Sequence, residues 1–99
     1  MGVIIIQEYQ KLMEKIYINK DRKRGITKTM LRLVEEVGEL AESILINQKE
    51  KIEEELSDVI AWTLSIANLL NIDMNRSFQN KYQDVCPECK NCPCSCETI

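Results

Sequence analysis

The sequence predicts an all-α fold: a small antiparallel bundle of about four helices, completed by oligomerisation and followed by a Cys-rich C-terminal tail. Three observations predict it. Apolar residues recur at three- and four-residue steps through long stretches, which stacks them on one side of an α-helix. The chain has 99 residues with only 3 Gly and 2 Pro, and both prolines, Pro87 and Pro93, lie in the tail. No stretch alternates apolar and polar residues as a half-buried strand would. A single chain of this size buries only about two-thirds of the surface its unfolded form exposes, so self-association is expected.

The first helix is expected over about residues 6–19, where Tyr9, Leu12, Met13, Ile16 and Tyr17 fall at helical spacing. The charged run Lys20-Asp21-Arg22-Lys23-Arg24, closed by Gly25, reads as a helix end and a loop. Thr27 or Thr29 is a candidate cap for a second helix reaching Ile46 or Asn47, with Leu33, Val34, Val37, Leu40, Ala41, Ile44 and Leu45 as its apolar set. Asn47-Gln48-Lys49-Glu50 is a short polar turn, and a third helix follows over about residues 51–70. A connection that short makes the two helices antiparallel neighbours. Asp73 is a good N-cap for a short fourth helix ending near Tyr82.

Charge and hydropathy exclude some classes of function. The net charge is −3 and no long basic run occurs, which argues against a nucleic-acid partner. No apolar stretch approaches the ~20 residues that span a bilayer. The opening Met1-Gly2-Val3-Ile4-Ile5-Ile6 is too short for a signal segment and lacks a basic flank. The expectation is a cytoplasmic protein without a membrane partner. All five cysteines lie between Cys86 and Cys96, whereas a disulfide framework would spread them across the chain. Residues 1–83 are therefore read as one helical domain and 84–99 as a Cys-rich tail.

Two acidic pairs carry the chemistry, Glu36-x-x-Glu39 on the second helix and Glu55-x-x-Asp58 on the third. A three-residue step turns about 300° around a helix, so each pair projects from one side. In an antiparallel hairpin the four carboxylates converge, and mutually repelling anions call for a cation. Oxygen-only ligation suits Mg²⁺ or Mn²⁺, whose natural partner is a phosphate chain. Glu-rich helix faces are also ordinary solvated surfaces, so position matters. Glu55 and Asp58 share a strip with Trp62, Ser65 and Leu69 that turns apolar further along, so a buried acidic head is expected there. On the second helix Glu36 borders the apolar arc, Glu39 points away from its centre, and Glu35 and Glu42 lie on a more exposed flank. Spacing, and the matching pair one hairpin away, single out Glu36 and Glu39.

The string Glu35-Glu36-Val37-Gly38-Glu39-Leu40-Ala41-Glu42, followed by Glu55-Leu56-Ser57-Asp58-Val59-Ile60, resembles the signature of the MazG-like nucleoside triphosphate pyrophosphohydrolases. That signature is E-E-x-x-E, a variable spacer, then E-x-x-D; here the spacer is the fifteen residues 40–54. The resemblance covers roughly residues 7–82. It implies an all-α core in at least a dimer (a homodimer or tetramer), and Mg²⁺-dependent cleavage of a nucleoside triphosphate between its α and β phosphates. It further implies Glu36, Glu39, Glu55 and Asp58 as Mg²⁺ ligands, and disposal of unwanted nucleotides as the role. Glu35 is the adjacent candidate for taking up the proton of the attacking water.

Substrate contacts are assigned more loosely. Lys81 sits where similar sequences place a polar or basic group near the phosphates. Lys20, Lys23, Arg24 and Lys28 form a basic patch for which a solvated helix-end loop is the plainer explanation. Trp62, one turn beyond Asp58, could stack on a base or simply fill the core. In the tail, Cys86 and Cys89 have the C-x-x-C spacing of half a Zn²⁺ site, to be completed by two of Cys92, Cys94 and Cys96. The subset Cys86, Cys89, Cys92 and Cys96 also matches a ferredoxin-like spacing, and an unliganded tail is the third alternative. The rival to an enzyme is a non-catalytic helical oligomerisation or metal-binding module with a zinc-binding interaction tail.

Overall fold

The computed structural model describes residues 5–97; the apolar opening at residues 1–4, used in the signal-segment argument, lies outside the described residues. Four helices follow one another: α1 (Ile5–Arg24), α2 (Ile26–Leu45), α3 (Lys49–Leu69) and α4 (Met74–Lys81). No strand occurs among the described residues. The fold is all-α, as the periodicity predicts.

α1 continues five residues beyond the expected end, through the charged run to Arg24. Lys and Arg are good helix formers, and cations in a last turn complement the helix dipole. Polarity alone made the run look like a loop. One residue, Gly25, makes the break, at φ 87° and ψ 163°. Only glycine adopts that conformation without strain. Its N–H donates to the Asp21 carbonyl (2.9 Å), closing α1, and its own carbonyl accepts from the Thr29 N–H (3.1 Å), opening α2. Neither expected threonine caps α2, because Gly25 holds the N-cap position and makes no side-chain cap. Thr29 instead lies fully buried inside the helix and donates its hydroxyl to the Gly25 carbonyl at 2.7 Å.

α2 and α3 end in the same way. Asn47 (φ 55°) follows α2 and Asn71 (φ 56°) follows α3, each in the left-handed region that Asn tolerates. The Gln48 N–H reaches back to the Ser43 carbonyl (3.3 Å), and the Ile72 N–H to the Ala67 carbonyl (2.9 Å). These are Schellman terminations, which satisfy carbonyls that the helix end orphans. The α2–α3 turn is thus short, and α3 begins at Lys49, slightly earlier than expected. At α4 the expected cap is present: the Asp73 carboxylate accepts from the Arg76 N–H at 3.1 Å.

α3 is the spine of the molecule. α2 packs along it most extensively, then α1, while α4 packs on α1. Trp62 lies beside Arg32 and Glu55 beside Glu36, so α2 and α3 run antiparallel. Gln10 of α1 accepts from Asn68 of α3 through its carbonyl (3.1 Å), whereas Arg24 of α1 meets Trp62. α1 and α2 thus both reach the middle of α3 at Trp62, and they join at Gly25. The Gln10 side chain fastens the far end, donating to the Ile72 carbonyl (2.7 Å) and accepting from the Met74 N–H (3.0 Å).

This arrangement leaves little apolar interior. Among the described residues only Leu64 and Ala67 are buried hydrophobics. On α2 the buried residues are Thr29, Glu36 and Ser43, all polar, while Met30, Val34, Val37 and Ile44 face outward, exposed.

Candidate functional site

The seam between α2 and α3 brings carboxylates together. Glu36 and Glu55 are only 7% and 6% exposed, and one oxygen from each lies within 4.8 Å of one from Glu39 and of one another. Glu39 is exposed, as its place off the apolar arc predicts. Asp58, one turn beyond Glu55, is also exposed and stands outside that group of three, but its charge reaches both buried carboxyls. Burial raises the pKa of Glu36, and the charges of Glu39, Asp58 and Glu55 raise it further against a lowering by Arg32. Glu55 is raised likewise, first by burial, then by Glu39 and Asp58. The Glu36 Oε2 atom is buried without any hydrogen-bond partner. A buried acceptor among like charges is costly, and the donor set is oxygen only. Those residues fit a hard divalent cation.

Beside Asp58 opens a cavity of about 290 Å³, lined on α1 by Tyr17, Lys20, Asp21 and Arg24, and on α3 by Asp58, Ala61, Trp62 and Ser65. Asp21 is 1% exposed, and its Oδ1 takes the Arg24 guanidinium at 2.8 Å while Oδ2 is unpartnered. The same guanidinium donates to Thr29 Oγ1 (3.2 Å) and lies 4.7 Å from the centre of the Trp62 ring. Arg32 approaches that ring too, at 5.2 Å. Trp62 is thus a half-buried wall of the cavity that already carries two cations.

The other candidate residues lie apart. Glu35 is exposed on the outer side of α2, paired with Arg32, and shares a surface depression with Gly38, Glu39 and Glu42. Lys28 is exposed in the first turn of α2. Lys81 ends α4 with its ammonium 5.6 Å from the Tyr82 ring, on a helix that packs on α1 rather than along the α2–α3 seam. Sequence reasoning passed over Tyr17 and Asp21 and left Arg24 in a solvated loop. The available signal was Tyr17-x-x-Lys20-Asp21-x-x-Arg24, a helical face visible only once α1 is continued to Gly25.

The tail gathers sulfurs. One thiol each from Cys86, Cys89, Cys94 and Cys96 lies within 4.8 Å of the others. Cys94 takes the place of Cys92, which was expected with Cys86, Cys89 and Cys96 as a Zn²⁺ ligand and which lies outside this group. Backbone N–H groups of Ser95 and Asn91 pull the Cys89 thiol down to about 5, and those of Cys89 and Glu88 lower Cys86. Cys96, whose thiol is engaged by Cys94 and Cys89, is pushed up to about 11.

The signature strings and the carboxylate seam lie within the part of the chain that a family model matches: the MazG nucleotide pyrophosphohydrolase domain fits residues 24–90. The chain belongs to that family. No curated protein matches it. The MazG match takes in α2, α3, α4 and the first two cysteines, while most of α1 precedes it. A MazG domain points to nucleotide pyrophosphohydrolase activity in general. No described helix is long and apolar enough to cross a membrane.

Proposed function

We propose that this chain is a Mg²⁺- or Mn²⁺-dependent hydrolase that cleaves a nucleoside triphosphate between its α and β phosphates, releasing monophosphate and pyrophosphate. The observation that carries this is the carboxylate seam beside a cavity: Glu36 and Glu55 buried, Glu39 and Asp58 open to solvent, and one Glu36 oxygen without a partner. Glu36, Glu39, Glu55 and Asp58 would hold the cation. When bound, a divalent ion there supplies a Lewis acid that neutralises phosphate oxygens. Glu36 and Glu55 would hold it from the buried side and Glu39 from the exposed side, while Asp58 also lines the cavity.

Lys20 and Arg24, on the wall facing Asp58, are the cationic donors we assign to the phosphates in place of Lys28 and Lys81. Arg24 is held in place by Asp21, so its guanidinium is pre-oriented. Tyr17 and Trp62 offer ring surface to the base. Glu35, paired with Arg32, borders the same depression as Glu39 and is the proton acceptor we assign to the attacking water. Removal of unwanted nucleotides in the cytoplasm is the role this activity suits.

The assembly is a homo-oligomer in this reading. A chain whose buried hydrophobics are Leu64 and Ala67 needs another apolar partner, and the outward row of Met30, Val34, Val37 and Ile44 is suited to a second copy.

The test is phosphate accounting on a panel of ribo- and deoxyribonucleoside triphosphates with Mg²⁺, assaying pyrophosphate and orthophosphate separately. Pyrophosphate release by the wild type, lost at least 100-fold in Asp58→Ala, is expected. Orthophosphate alone would make the protein a phosphatase. Release of neither from any nucleotide would reduce the seam to a structural metal site.

A further inference from the structure

The helical core leaves the segment after α4 unexplained. Between Gln83 and Glu97 the only large aliphatic side chain is Val85, which is exposed, so no apolar packing orders this stretch. Yet the segment is tightly turned around its sulfurs. Cys86 and Cys96 are 3.8 Å apart, and Cys89 and Cys94 3.9 Å. None of the five cysteines is in a disulfide. A tetrahedral ion with metal–sulfur bonds of about 2.3 Å sets its sulfurs about 3.8 Å apart. A cluster of several irons would hold them further apart than a single ion does.

The backbone is shaped for the same purpose. Around Cys86-Pro87-Glu88-Cys89 the chain closes on itself, with the Lys90 N–H donating to the Cys86 carbonyl (2.8 Å) and the Cys86 N–H to that of Asn91 (3.0 Å). Lys90 takes a left-handed conformation (φ 64°) to make the turn. Across from that turn the Ser95 N–H donates to the Cys89 sulfur at 3.3 Å. On the other half, the Cys96 N–H donates to the Cys94 sulfur at 3.3 Å. Asn91 and Ser95 tie the halves together through their side chains at 2.6 Å. Donors converging on sulfur delocalise thiolate charge and orient the ligands.

We propose that Cys86, Cys89, Cys94 and Cys96 hold one Zn²⁺ ion as a tetrathiolate that folds residues 86–96 into a knuckle after α4, with Cys92 outside the ligand set. All-thiolate tetrahedral ligation selects zinc or iron, and at such a site Zn²⁺ binds more tightly than Fe²⁺. The ion releases the thiol protons and replaces an apolar core in a loop too small to have one. The carboxylate seam plays no part in it, so this proposal stands or falls apart from the pyrophosphohydrolase reading.

The experiment is elemental analysis of the purified full chain, with Cys86→Ser, Cys94→Ser and Cys92→Ser measured alongside. One zinc per chain is expected in the wild type and in Cys92→Ser, and less than a tenth of that in the other two. Circular dichroism keeps helix loss from being mistaken for metal loss. A thiol reagent should modify one of the five cysteines before a chelator is added and all five after it. Replacement by Co²⁺ should give the intense visible bands of a tetrahedral thiolate site. Iron in place of zinc, zinc retained in Cys94→Ser but lost in Cys92→Ser, or five thiols reactive throughout would each overturn the proposal.

Discussion

Replacing Glu36 by Gln should stabilise the protein without added divalent metal and abolish its activity. A buried residue ordinarily costs stability when changed, so the sign is the test. In wild type the Glu36 carboxyl is 7% exposed, lies within 4.8 Å of Glu39 and Glu55, and has one oxygen unpartnered. Two unit charges at that distance repel by roughly 3.5 kcal/mol at an effective dielectric of ~20. Solvent beside exposed Glu39 screens part of this, leaving about 1–2 kcal/mol to recover. A Gln amide removes the charge, keeps the volume, and can donate to the neighbouring carboxylates.

For a domain of this size 1 kcal/mol moves the midpoint by about 4–8 °C, so a Tm rise of roughly 5–10 °C is expected at pH 7.5 in metal-free buffer. The direction with pH follows from linkage. The Glu36 pKa is raised in the folded state. Wild-type stability from this group is therefore fully present below the ordinary carboxyl range and is lost as pH rises through the elevated value. The Glu36→Gln advantage should shrink toward zero by about pH 4.5 and reappear on return to neutrality. Addition of Mg²⁺ should raise the wild-type Tm and leave the variant's unchanged. Thermal melts by circular dichroism at matched protein concentration decide it. A variant that melts below wild type at pH 7.5 without metal would refute the electrostatic account of the seam.

Three further changes probe the frame around the site. Gly25→Ala introduces no clash, since nothing lies within 4 Å of the added methyl, yet φ 87° should make it cost about 1–3 kcal/mol in a denaturant titration. An unchanged midpoint would mean the α1–α2 junction relaxes freely. Arg24→Ala leaves the 1%-exposed Asp21 without its ion-pair partner and should cost roughly 3 kcal/mol, most of it restored by adding Asp21→Asn; no rescue would show that Arg24 acts by packing on Trp62 instead. Val34→Asp with Val37→Asp, at two exposed apolar positions, should lower the mass seen by light scattering to that of a monomer; an unchanged assembly would place the contact elsewhere.

The grouping of Glu36, Glu39 and Glu55 was legible because it rests on local quantities, a three-residue step and a short antiparallel turn. The cavity was not, for a physical reason. It depends on α1 continuing through Lys20 to Arg24, and polarity in a helix's last turn looks the same as polarity in a loop. Asp21 was hidden by the same ambiguity, since burial of a charged group is decided by its partner in space. The tail was half legible: C-x-x-C spacing marks one side of a site, but whether Cys92 or Cys94 completes it depends on the path of the intervening chain. The width of the α2 apolar arc also concealed a division of labour. Leu33 and Leu40 are half-buried toward α3, while Val34, Val37 and Ile44 face outward, and periodicity alone does not separate one buried side from two.

That division bears on how the protein is built. On α2 the buried side facing α3 carries Thr29, Glu36 and Ser43 alongside half-buried Leu33 and Leu40, and Glu55 is the buried counterpart of Glu36 on α3. Thr29 and Ser43 are satisfied by the carbonyls of Gly25 and Glu39, four residues back, so they cost little and contribute little. Glu36 and Glu55, buried among like charges, oppose folding, and a cation held as proposed would neutralise them. The fully and nearly buried positions of α2 are thus polar, while Met30, Val34, Val37 and Ile44 point outward. In the proposed homo-oligomer, a second copy covering Val34, Val37 and Ile44 would add the apolar burial. On the proposed reading dissociation and loss of activity should occur together, at one concentration and one temperature, because α2 carries both the carboxylates and the outward apolar row.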